Sequence, residues 1–292
     1  MNSVLYICLL LLGFNASAGI LVQFRTIVGD IDVELYNQDK PVTVQNFIRY
    51  AHSGLYQNMF LHRCIPGFIV QGGGFAVADP ASTNLFSPSG VYFVPTFGPI
   101  TNEFNVGRRL TNSFGTIAMA KVGGDPNSAT SQWFFNLANN STNLDNQNGG
   151  FTVFGRVIRG TNVLDDFNKR DKYSTVPHGL VDLTWWFGPT SGFGQTFSDL
   201  PVNYSGLIYP RYTDLMYVDV SLLNVQVQQL TNKAHQISWN SVAGKTNYVE
   251  FTTNMPPSWQ KLTVTNGTGA TVQVVDPATN APRRFYRVRV DY

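Results

Sequence analysis

Apolar residues in this chain fall on alternate positions in short runs, and glycine or proline interrupts each run. Val22 and Phe24, then Ile31, Val33 and Leu35, alternate with polar neighbours between Ile20 and Tyr36, around a turn expected at Gly29-Asp30. A period of two puts these side chains on one face of a hairpin. Further short strands are expected at Met59 to His62, Phe68 to Gln71, Thr116 to Ala120, Trp133 to Leu137, Thr152 to Ile158 and Leu215 to Leu223. Only two segments keep a helical period. Pro41 opens the first, with Val44, Phe47, Ile48 and Ala51 on one face and Gly54 closing it; the second is Asn162 to Asn168. The 26 glycines, 15 prolines and 13% aromatic residues agree with strands and loops. A charged fraction of only 13% argues against a helical bundle or coiled coil.

The first residues read differently. Val4 to Phe14 is nearly all apolar, and Ala16-Ser17-Ala18 places small residues before Gly19. This is the pattern of a signal peptide (residues 1–18) cut after Ala18, so the chain is expected to be exported, to the periplasm or the external medium. The run is too short to span a bilayer of about 30 Å, and no later segment is long and apolar enough to do so. Cleavage would remove Cys8 and leave Cys64 as a single thiol, without a disulfide partner. His52, His62, His178 and His235 are scattered, and no Cys and His have ligand spacing, so neither metal nor other cofactor is expected. A net charge of +2 gives no case for nucleic-acid binding.

The organisation changes twice. Residues 169–214 are irregular, with aromatics together at Trp185-Trp186-Phe187, and are expected to be a packed insertion rather than a free loop. After Val225 come short strands near Ile237 to Trp239, Tyr248 to Thr253, Trp259 to Val264, Thr271 to Val275 and Phe285 to Val290, with turn signals at Asn266-Gly267 and Asp276-Pro277. Residues 19–225 are therefore expected to form one mostly antiparallel domain, and residues 226–292 a small β-sandwich.

Three separated segments carry the chemistry. The first is His62-Arg63-Cys64-Ile65-Pro66-Gly67-Phe68-Ile69-Val70-Gln71-Gly72-Gly73. The second is Gly115-Thr116-Ile117-Ala118-Met119-Ala120, followed by Ser131-Gln132-Trp133-Phe134-Phe135-Asn136. The third is Leu144-Asp145, then Phe151-Thr152-Val153-Phe154-Gly155-Arg156-Val157. In this order, over about Ile20 to Leu223, they resemble the cyclophilins, a family of peptidyl-prolyl cis/trans isomerases, in their bacterial branch. The resemblance implies a mainly β fold: a closed eight-stranded antiparallel barrel capped by two helices. Trp239, Tyr248, Trp259 and Arg283-Arg284-Phe285-Tyr286-Arg287-Val288 resemble, as a pattern, a fibronectin type III-like module.

The implied reaction sets physical requirements. Rotation about a peptide bond meets a barrier of about 18–20 kcal/mol because the C–N bond has partial double-bond character. No bond is made or broken, so neither a nucleophile nor a metal is needed. In the twisted amide the nitrogen becomes basic, and a fixed cationic donor aimed there favours the twisted state over the planar one. An apolar socket must hold the proline ring meanwhile. By the resemblance, Arg63 is the donor and Gln71 holds it in place. Phe68, Ile69, Phe134 and Leu144 line the ring pocket, Phe151 stands where many members have a histidine, and Ala120, Lys121 and Gln132 contact the substrate backbone. Two departures stand out: Asn143 occupies a position often held by Trp, and Thr142 is inserted beside it. Without the resemblance, Arg63 reads as a surface arginine and the aromatics as core.

The partners implied are proline-containing unfolded or flexible protein segments, and the role is assistance to protein folding. Two other readings stay open: a module that binds proline segments without useful turnover, and a surface-interaction protein in which the C-terminal module meets an envelope or surface partner.

Overall fold

The structure, a computed structural model, describes residues 20–172, 179–184, 194–203, 209–223, 225–241, 246–254, 258–268, 270–278 and 283–291. The signal-peptide segment, Cys8, His178 and Trp185-Trp186-Phe187 lie outside these residues.

The chain opens with a hairpin of β1 (Ile20–Thr26) and β2 (Gly29–Leu35). Thr26 pairs with Gly29, so the turn is Ile27-Val28, two residues ahead of the position expected. Gly29 has φ +136°, and a Cβ there would lie 2.8 Å from Val163, so a side chain is excluded on both counts. Helix α1 (Pro41–His52) follows. Pro41 fits its first turn because that N–H has no helical partner. The backbone N–H groups of Val42 and Thr43 donate to the buried Glu103 carboxylate instead of to a local cap. Next come β3 (Arg63–Ile65), β4 (Ile69–Gly72), β5 (Phe75–Val77), β6 (Val91–Phe93), β7 (Thr116–Met119) and β8 (Trp133–Asn136). Short helix α2 (Ser141–Leu144), β9 (Val153–Arg159) and α3 (Thr161–Asn168) lead to β10 (Leu180–Val181), β11 (Leu200–Pro201) and β12 (Asp219–Leu223).

Eight strands form one antiparallel sheet in the order β12-β1-β2-β9-β7-β8-β4-β3. Its concave side buries Val22, Phe24, Ile31, Val33, Met119, Trp133, Phe135 and Phe154, with Val44, Phe47 and Tyr50 of α1 and Val163, Leu164 and Phe167 of α3. Edge-on ring contacts such as Phe24 to Trp133 (4.9 Å) and Phe24 to Phe135 (5.1 Å) are a favoured aromatic geometry. The expected closed barrel is therefore seen as a curled sheet whose end strands β12 and β3 do not pair. The segments leading into them meet through Phe60 and Tyr217, with Leu61 N donating to Met216 O (2.9 Å) and Val218 N to Met59 O (3.1 Å). Met59 to His62 makes isolated bridges instead of a strand of its own, to Tyr217 and, through Met59, to Ala76.

A second apolar cluster lies outside the sheet. Phe60, Phe75, Phe86, Leu183, Phe197, Leu200, Val202 and Tyr212 are buried together. The described part of the 169–214 stretch is thus packed, chiefly against the 75–93 segment, where β5 and β6 pair. Beyond Val225 two three-stranded antiparallel sheets form. One holds β13 (Gln226–Gln229), β14 (His235–Asn240) and β17 (Thr271–Asp276); the other holds β16 (Gln260–Asn266), β15 (Thr246–Thr252) and β18 (Phe285–Asp291). Ile237, Trp239, Val249 and Val288 are their shared buried cluster, which Leu21 of β1 also touches.

Candidate active site

Strand alternation divides β3, β4, β7 and β8 into two faces. One cross-strand row, Cys64–Val70–Phe135–Ile117, points into the core. The next row, Arg63–Gln71–Phe134–Ala118–Val153, points outward. Outward-facing apolar residues would normally meet water. Here Ile69, Ala118, Phe134, Leu144 and Val153 make a small buried cluster of their own, with Phe68, Ala120 and Phe151 packed on it. A pocket of about 200 Å³ opens on this cluster, lined by Arg63, Phe68, Ile69, Gln71, Ala120, Lys121, Phe134, Leu144, Gln147 and Phe151. Every site residue expected from the sequence lines it except Gln132.

Gln132 stands behind the wall. Its Oε1 accepts a hydrogen bond from Gln71 Nε2 (2.7 Å). Gly74 makes room for it, since a Cβ there would lie 2.8 Å from its carboxamide carbon. The expectation that Gln71 braces Arg63 is corrected: the two are cross-strand neighbours, but Gln71 is turned toward Gln132. Among the described residues no hydrogen bond or ion pair engages the Arg63 guanidinium. Its donors therefore face the pocket unspent. The neighbouring His62 is buried, and desolvation, then the Arg63 charge, depresses its pKa to about 3. Arg63 is thus not paired with a second cation at neutral pH. Cys64 points inward as expected, and burial pushes its thiol up to about 12.

Lys121 lines the pocket, and its ammonium is engaged by the protein's own loop. Its Nζ donates to Asn148 O and Gly150 O, both at 2.7 Å, and sits 4.6 Å from the Phe151 ring centre. Burial, only partly offset by Asp125, lowers its pKa to about 8. Phe151 meets Phe134 edge-on at 5.9 Å. Asn143 is not in the pocket wall. Its Oδ1 accepts from Gln147 Nε2, and Gln147, which the sequence did not single out, lines the mouth.

The far wall is fixed by a buried amide network that sequence reasoning also missed. Asn112 Nδ2 donates to Asp145 Oδ1 (2.8 Å) and Phe151 O (3.0 Å). Asn136 Nδ2 donates to Asn112 Oδ1 (3.1 Å), and Asn140 Nδ2 to Phe68 O (2.7 Å) and Asn136 Oδ1 (2.8 Å). Two pocket residues, Phe68 and Phe151, are gripped through their carbonyls, and Leu144 precedes Asp145. No spacing in the sequence brings these asparagines together; the only signal was their placement beside the motif segments.

Chemically this is a small apolar notch with one uncommitted guanidinium at its edge and, among the described residues, no cluster of side chains able to hold a metal. It suits non-covalent stabilisation of a polar, ring-bearing group. The family model for cyclophilin type peptidyl-prolyl cis-trans isomerases matches residues 21–182. The chain is 40% identical over 157 residues to a peptidyl-prolyl cis-trans isomerase of Acinetobacter baylyi, covering 53% of this chain and 76% of that protein. It is 38% identical over 149 residues to peptidyl-prolyl cis-trans isomerase B of Escherichia coli, covering 50% and 82%. A solved cyclophilin type isomerase of Cryptosporidium parvum is 21% identical with TM-score 0.43, covering 69% of this chain and 98% of that one. The chain belongs to the cyclophilin-type peptidyl-prolyl cis-trans isomerases.

Proposed function

We propose that this isomerase acts on X-Pro bonds in unfolded or flexible segments of exported proteins, with Arg63 as the catalytic cation. The carrying observation is that Arg63, without a hydrogen-bond or ion-pair partner among the described residues, shares an outward register row with Phe134 at the edge of the apolar pocket. Phe68, Ile69, Phe134, Leu144 and Phe151 would grip the proline ring. The guanidinium would donate to the amide nitrogen as it loses resonance, an interaction stronger in the twisted state than in the planar one and therefore rate-accelerating. Gln71, held by Gln132, and the edge at Ala120 would align the substrate backbone. The test is isomerisation of a proline peptide by the wild type and Arg63→Ala. Equal turnover would refute the assignment of Arg63.

Export rests on the residue 1–18 pattern, and periplasm or external medium would be the working compartment. Assistance to folding follows from that setting, where prolyl isomerisation, taking tens of seconds or more, limits refolding. Fractionation and N-terminal sequencing of the mature chain test this. Residues 19–225 are proposed as the catalytic domain, with a barrel closed through the Phe60–Tyr217 bridge, and residues 226–292 as a fibronectin type III-like sandwich that spaces the enzyme or meets a surface partner. Independent folding of the two pieces, cut near Val225, would support that division. The polar Asn143–Gln147 pair at the mouth favours one second reading, capture without useful turnover. Peptide binding with no rate enhancement would select it.

A further inference from the structure

Asn148, Gly149 and Gly150 take φ values of +51°, +72° and +77° in succession. Glycine adopts this left-handed region at little cost but is equally free to leave it, so a hold is what keeps the run in one conformation. Successive residues in one helical sense turn their carbonyls the same way, and here the carbonyls of residues 148 and 150 converge on the Lys121 ammonium. Asn102 Nδ2 supplies a second hold on Gly149 O (2.9 Å) and Gly150 O (3.0 Å), and Asn148 Nδ2 donates back to Val122 O (2.9 Å). A Cβ on Gly150 would lie 2.3 Å from the Phe104 ring, so only glycine fits at this position. The next residue is Phe151, whose ring forms the far wall of the pocket and lies beside the same ammonium.

We propose that Lys121 is a positioning residue whose charged ammonium latches the 148–150 turn and thereby sets the Phe151 wall against which the proline ring packs. This rests on the reading of the pocket as the proline site. A second consequence follows from burial. Asp125, on the loop that follows Lys121, is the charged group that acts on it among the described residues, and Arg63 lines the same pocket. Desolvation outweighs Asp125 and brings the ammonium's pKa to about 8. Raising the pH through that value removes the charge, so the latch weakens on the alkaline side and the wall loosens.

The experiment measures proline-peptide Kd by titration, together with kcat/KM, for the full chain, Lys121→Met, Lys121→Arg and Arg63→Ala, from neutral to alkaline pH. Lys121→Met is expected to raise Kd about five- to tenfold, the loss of a charged hydrogen-bond donor, while turnover at saturation stays close to wild type. Lys121→Arg, which cannot discharge, should bind like wild type at neutral pH and keep that affinity where the wild type weakens above about pH 8. Wild-type Kd in Lys121→Met, or a wild-type affinity that does not change through that pH, would overturn the latch. Should Lys121→Met unfold, the pH profiles of wild type and Lys121→Arg decide alone. Full turnover in Arg63→Ala would instead overturn the pocket assignment, and it is read from kcat/KM rather than from the Lys121 series.

Discussion

The rows Cys64–Val70–Phe135–Ile117 and Arg63–Gln71–Phe134–Ala118 lie on the same four strands, one residue apart, and face opposite ways. The inward row is wholly apolar and meets α1 and α3 across a continuous core. The outward row starts with a cation and an amide and ends in a small apolar patch covered by the α2 segment, the 144–151 loop and single residues such as Tyr36 and Leu110. Both rows bury aromatic rings, so burial does not separate stability from function here. What separates them is the far side: the inward row has a packed partner along its whole length, and the outward row has a pocket and an unpaired charge.

Mutations should split along that line. Phe135→Ala removes a fully enclosed ring and should cost about 3–5 kcal/mol of stability, read by denaturant unfolding, with little change in the activity of the folded fraction. A pocket defect as large as the stability loss would break the contrast. Arg63→Ala should do the reverse, lowering kcat/KM roughly 10²–10³-fold with little change in melting temperature, because one preorganised donor is lost and, among the described residues, no hydrogen bond or ion pair goes with it. The buried His62 next to it gives a pH signature. Its folded pKa near 3 lies below the unfolded 6.5, so the unfolded state binds a proton the folded one does not, and stability falls as pH drops through that window. At pH 5 this amounts to roughly 2 kcal/mol relative to pH 7, and His62→Gln should flatten the profile. Asn112→Ala sharpens the comparison from the other side. It unties Asp145 and Phe151 together, so it should cost about 1–3 kcal/mol and also weaken peptide binding, a joint effect that neither row's own residues should show. Loss of stability alone would mean the asparagine network does not shape the pocket.

Much of this was legible beforehand. The hairpin, both longer helices and the strands around the three motif segments are local patterns, and they fell within a few residues of their expected places. Misses came where pairing is non-local. The Met59 to His62 run is apolar enough for a strand, but its pairing is split between the 71–76 segment and the distant 216–218 segment, and each yields only isolated bridges. β13 and the β5–β6 pair are short and lack clear alternation. The pocket membership of Arg63, Phe68, Ile69, Gln71, Phe134, Leu144 and Phe151 could be read from motifs. The partners of Gln71 and Lys121, the place of Gln147 and the asparagine network could not.

By itself the sequence determined which residues alternate, where the turns lie to within a couple of residues and which side chains are chemistry-bearing types, because period and turn chemistry are set by neighbours along the chain. Tertiary structure alone decided that Arg63 is left unpaired, that Gln71 turns to Gln132 and that Lys121 holds a loop instead of reaching outward. Hydrogen-bond partners are chosen by distance in space. Burial then makes each choice binding, since a polar group taken from water must keep whichever partner the fold brings to it.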